Sequence, residues 1–62
     1  MTDYQINLIV TAYFNKLIEL NISEDIVKDF GQKNGELYIV LEDKTSKNNE
    51  TIIKEKIKNF YN

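Results

Sequence analysis

Lys33-Asn34-Gly35-Glu36-Leu37-Tyr38-Ile39-Val40-Leu41 is the stretch on which the fold turns. An Asn-Gly pair accepts the positive φ angles of a type I′ turn, the strongest short-range hairpin signal. Leu37 to Leu41, directly after it, is an apolar run with the branched and aromatic residues that favour a strand. With Asn34-Gly35 as the turn, Phe30 faces Ile39, Gln32 faces Leu37 and Lys28 faces Leu41. One hairpin face then carries Phe30, Leu37, Ile39 and Leu41, an acceptable core surface. The competing reading makes residues 23–31 a short helix, capped by Ser23 and closed by Gly31, in a mostly α chain. A lone strand would leave its backbone groups unpaired, so a hairpin over about residues 25–42 is expected.

Upstream, Thr2-Asp3-Tyr4-Gln5 forms a capping box, with Met1 and Ile6 at the two hydrophobic-staple positions. Helically spaced apolar residues follow without Gly or Pro, which predicts a helix over about residues 3–20. On a helical wheel Ile6, Ile9, Val10, Tyr13, Phe14, Leu17 and Leu20 share one half. Tyr4, Leu8, Ala12 and Ile18 fall among the polar residues of the other. Tyr4, Leu8 and Ala12, at i, i+4 and i+8, are therefore candidates for a seam against a second chain.

Downstream, residues 42–49 are polar and aperiodic and read as a mobile surface connection. Glu50 to Tyr61 reads as a second helix, with Asn48 or Asn49 as cap and Glu50 to Lys54 as an i, i+4 pair. Its buried stripe would be Ile53, Ile57, Phe60 and Tyr61, with Ile52 on the flank. The expectation is one α+β domain over residues 1–62, a two-layer helix–hairpin–helix (αββα).

Two strands alone are marginal in water. A chain of 62 residues buries only about 60% of its unfolded surface. Without Cys there is no disulfide to compensate, so a partner surface is the expected source of extra burial. Both arguments predict a homodimer and leave its surface open, between the Tyr4, Leu8 and Ala12 seam and a sheet continued from one chain into the next.

Composition narrows the chemistry. Lacking His and Cys, the chain has no imidazole base for a Ser or Thr nucleophile and no soft metal ligands. Its two glycines form no phosphate-binding loop, and its acids lack the spacing of a calcium loop. The reading is non-enzymatic, with no cofactor and no metal. No apolar run reaches the ~18 residues of a membrane span. The Met1-Thr2-Asp3 start lacks the basic character of a secretory signal, so a cytoplasmic address is expected. Every basic residue is Lys, with eight Asn and nine Ile, which points to an AT-rich bacterial or phage genome.

The net charge of −2 hides a division. Residues 1–43 carry −5 and residues 44–62 carry +3. Glu24, Asp25, Asp29, Glu36, Glu42 and Asp43 fall on or near the hairpin, a candidate acidic face for a protein partner. Lys44, Lys47, Lys54 and Lys58 are candidate phosphate contacts. The leading functional expectation is a small protein-binding regulator or inhibitor of a larger bacterial machine, of bacterial or phage origin. A nucleic-acid-binding protein using the Lys-rich end and a structural subunit of an assembly are the alternatives.

Overall fold

A computed structural model describes residues 1–61. Helix α1, Asp3–Leu20, starts at the expected capping box. The Gln5 N–H donates to Thr2 Oγ1 at 3.2 Å, and the Thr2 N–H donates to Gln5 Oε1 at 3.0 Å. Asn21 ends the helix at φ 55°, a left-handed conformation that Asn tolerates better than most residues. A single 3₁₀ turn, Glu24–Ile26, follows with Ser23 as its cap. Strand β1 (Val27–Lys33) leads through Asn34-Gly35 into β2 (Glu36–Glu42), and β3 (Glu50–Lys56) follows a seven-residue loop. The sheet is antiparallel, in the order β1-β2-β3.

The α+β class is as expected, and so is the hairpin. Asn34 and Gly35 take φ of 55° and 75°, Phe30 pairs with Ile39, and Gln32 with Leu37. Further along, a bulge between Val27 and Asp29 puts Val27, not Lys28, opposite Leu41. That irregularity keeps an apolar residue on the helix side and frees Lys28 for Glu50. Of the helical alternative for residues 23–31, only the 3₁₀ turn forms, and Gly31 lies within β1.

The expected second helix is replaced. Glu50–Lys56 is a strand and residues 57–61 turn away from it, so the fold is αβββ, not αββα. The reason is the second edge of β2, which a hairpin alone leaves unpaired. Thr51-Ile52-Ile53 is a run of β-branched residues fit to fill it. Alternation then sends Thr51, Ile53 and Glu55 toward α1 and Glu50, Ile52, Lys54 and Lys56 away from it. The Glu50–Lys54 helix pair never forms, and Glu50 instead meets Lys28 at 2.7 Å. Ile57 and Phe60 are buried as expected, although from a turn, whereas Tyr61 is exposed.

The core lies between α1 and the sheet. Leu37, Ile39 and Leu41 of β2 meet Ile9, Tyr13 and Leu17 of α1, with Ile57 and Phe60 closing one end. Leu37 and Ile39 are completely buried. The Tyr13 and Phe30 rings stack with centroids 3.8 Å apart, tying the helix to β1. The Gln5 side chain donates to the Phe60 carbonyl at 3.2 Å, tying the helix start to the chain end.

The strand assignment makes Ile39 and Ile52, both in paired strands, very unequal. Ile39→Ala opens a void in the core and should cost about 2–5 kcal/mol. A domain of this size commands only about 3–9 kcal/mol in total. Ile52→Ala removes an outward-facing side chain and should change stability by less than about 1 kcal/mol. Urea unfolding of the two variants checks this, and equal losses would contradict the sheet. Gly35→Ala should cost about 1–2 kcal/mol in the same assay, because its φ is positive. The added Cβ would also stand 2.7 Å from the Tyr61 ring.

Candidate functional site

Three rows of side chains, each spaced by four residues, run along α1, and the sheet decides which are free. Ile9, Tyr13 and Leu17 form the buried row. The row on the β3 side is Tyr4, Leu8, Ala12 and Lys16, where Lys16 Nζ reaches Glu55 at 2.9 Å and Glu19 at 3.0 Å. Both carboxylates raise the Lys16 pKa, Glu55 first, against a smaller lowering by desolvation. Leu8 and Ala12 are half-buried against the core, so the predicted seam is mostly occupied by the protein itself. Only Tyr4 of that trio is exposed.

The third row is Ile6, Val10, Phe14 and Ile18, exposed at 43%, 37%, 45% and 78%. It lies on the opposite flank from Lys16, beside β1, where Phe30 is also 37% exposed. The helical wheel puts Ile6, Val10 and Phe14 inside and Leu8 and Ala12 outside, the reverse of what forms. The shift follows from β3, which widens the sheet beneath the Leu8–Ala12 flank and rolls the helix onto it.

The acidic candidates do not make one face. Glu24 and Asp25 lie in the 3₁₀ turn just ahead of β1, and Glu42 and Asp43 end β2. Glu36 stands at the other end of β2, about 20 Å away at the usual rise per strand residue. Some of these acids also have internal duties. Asp29 Oδ1 accepts from the Phe30 N–H at 2.9 Å. Asp43 Oδ1 accepts from the Thr45 N–H at 3.0 Å and its hydroxyl at 2.6 Å, while Oδ2 accepts from the Thr51 hydroxyl at 2.5 Å. The Ser46 hydroxyl donates to the Glu50 carbonyl at 2.9 Å. The 43–49 loop, expected to be mobile, is held by these bonds.

The lysine candidates are scattered as well. Lys44 and Lys47 sit in the 43–49 loop, and Lys58 lies beyond β3 at the other end of the sheet. Lys54 points from β3 to the face opposite α1, together with Lys56 and, from β1, Lys33. These three lysines line a groove of about 660 Å³ together with Tyr38, Val40 and Ile52. Sequence reading missed this cluster because it joins residues from three strands, one of which was assigned to a helix. Beyond it, Lys28 spans the sheet to Glu50, whose hydrogen bond is the main cause of the raised Lys28 pKa.

Among the described residues, no group of three His, Cys, Asp or Glu is placed to hold a metal ion. No helix among them is long and apolar enough to cross a membrane. Comparison of the chain with protein-family models, with curated proteins and with solved structures gives no match.

The hydrogen bonds to Asp43, those from Thr45 foremost, hold its carboxyl below the ordinary value of 3.8. A pKa lowered by folding stabilises the folded state above the unfolded value, and that contribution fades as pH falls through the folded one. Asp43→Ala should therefore be less stable than the parent at neutral pH, with the gap closing as pH is taken well below 3.8. Urea midpoints measured across that range test it, and a gap independent of pH would show that the charge of Asp43 is not what holds the loop.

Proposed function

We propose that this protein is a non-enzymatic binding protein that acts by protein–protein contact, and that its first partner is a second copy of itself. The observation that carries the reading is the row Ile6, Val10, Phe14 and Ile18. Four apolar side chains in one i, i+4 ridge are left in water along the helix. Such a ridge packs into the groove beside the same ridge of a facing helix, the commonest helix–helix geometry. A twofold contact of this kind is self-complementary. It also supplies the burial that a single small core lacks.

The edge of β1 lies next to this ridge, and its own features argue against a sheet continued from chain to chain. The bulge at Val27–Asp29 twists that edge, and Asp29 already occupies the Phe30 N–H. Both are means by which edge strands are kept from pairing. The helix ridge, with Phe30 at its rim, is thus the better surface for the second copy. A dimer of this type suits a small regulator or inhibitor, whose whole action is to occupy part of a larger protein's surface.

Sedimentation equilibrium over a wide concentration range tests the proposal. The expected result is a dimer that persists at high salt, since apolar contacts are not screened. Val10→Glu and Phe14→Glu should each yield a folded monomer, weakening association at least tenfold. Leu8→Glu should instead lower the stability of the fold, because Leu8 packs on the core. A folded monomer at every concentration, or a dimer indifferent to Val10→Glu and Phe14→Glu, would overturn the reading.

A further inference from the structure

The face of the sheet turned away from α1 carries a second surface, independent of the helix ridge. We propose that it binds single-stranded nucleic acid, with Tyr38 as a stacking platform and Lys33, Lys54 and Lys56 as phosphate contacts. Tyr38 pairs with Gly31 of β1 on one side and Lys54 of β3 on the other. The Tyr38 side chain lies across Gly31. A Cβ built there would be 2.8 Å from the phenol oxygen and 3.0 Å from Cζ. Glycine is what lets the ring settle down onto the sheet, one side against β1 backbone. Its remaining surface lines the groove.

The charge around the ring is cationic. Lys54 is its direct neighbour on β3, and Lys33 and Lys56 stand one same-face position further along, on either side of Glu36. None of the three forms an ion pair with a described carboxylate, in contrast to Lys16 and Lys28. Glu36 is the one acid lining the groove, so this end of the face keeps a net positive charge within an acidic protein. The other acids of this face lie further along it: Asp29 opposite Val40, then Glu42 and Glu50 at the far end, where Lys28 pairs with Glu50. An anion is therefore drawn to one end of the sheet only.

The flat ring decides which anion. An acidic peptide would satisfy the lysines, but its acidic side chains bring no aromatic face to stack on Tyr38. A duplex would satisfy them too, but hides its bases. A single strand offers both phosphates and open base faces, and Val40 and Ile52 give the groove an apolar floor for a neighbouring base. Lys54 and Lys56 stand about 7 Å apart along β3, a spacing suited to successive phosphates of an extended strand.

Fluorescence anisotropy with labelled oligothymidylate and oligouridylate, each about 12 nucleotides long, tests this on the intact protein. Expected is binding whose log affinity falls with log salt at a slope of about −2, from about 0.7 per neutralised phosphate and three lysines. Tyr38→Ala should weaken it about tenfold or more, while Tyr38→Phe, which keeps the ring, should stay close to the parent. Lys54→Glu combined with Lys56→Glu should abolish it. Circular dichroism of each variant separates lost binding from lost folding. The proposal is overturned by no binding at the lowest salt, or by binding that survives Tyr38→Ala and the Lys54/Lys56 reversal. Equally, tighter binding of the annealed duplex would assign the face to double-stranded nucleic acid, and more effective competition by polyglutamate would assign it to acidic protein. Because Val10→Glu and Phe14→Glu leave this face intact, their oligonucleotide affinity should match the parent even where they are monomeric.

Discussion

Leu37, Ile39 and Leu41, alternate residues of one strand, are what the rest of the molecule is arranged to cover. Their strand is the middle one, so its backbone needs a partner on each side and its inward face needs a lid. β1 and β3 meet the first need and α1 the second. Phe60 and Ile57 then close the end that the helix leaves open. With a core this small, most apolar residues of α1 have nowhere to go. One row of the helix is buried, one is half-sheltered, and the third stays in water. The exposed ridge is thus a consequence of how narrow the core is.

The helix and the hairpin were legible because their signals are local. Thr2 and Gln5 fix a helix start within one turn, and Asn34-Gly35 fixes a register within one pair of residues. β3 was not legible, because Ile53, Ile57 and Phe60 fit a helical stripe as well as they fit what they form. Only Ile53 is in the strand; Ile57 and Phe60 reach the core from the turn after it. The deciding fact was the second unpaired edge of β2, which is a property of the sheet and not of residues 50–61. That single omission accounts for the misplaced surfaces too. Without β3 beneath it, the row containing Leu8 and Ala12 looks free, and Lys33, Lys54 and Lys56 share no face. The acidic residues failed for another reason. Sequence proximity to the hairpin says nothing about which end a residue occupies, and it cannot reveal that Asp43 spends its carboxylate on its own loop.

The two sides of this molecule differ in kind. The helix side is apolar at its margin and lacks unpaired charge along the ridge, which suits a contact made by exclusion of water. The sheet side is polarised along its strands, with Lys33, Lys54 and Lys56 at one end and Asp29, Glu42 and the Lys28–Glu50 pair toward the other. Such a surface orients what approaches it before contact is made. The two proposed contacts therefore place no competing demands on any residue.

The meander has a kinetic corollary. Each strand pairs only with its neighbour in sequence, across connections of two and seven residues. Little chain entropy is lost in closing either loop, and the sheet is expected to assemble rapidly and early. The clasp between Gln5 and the Phe60 carbonyl is different in order, since it joins residues 55 apart. It can form only after helix and sheet are in place, and it is the natural first point of opening in the native state. Amide exchange would then run from the termini inward, with the β2 amides the last to be released.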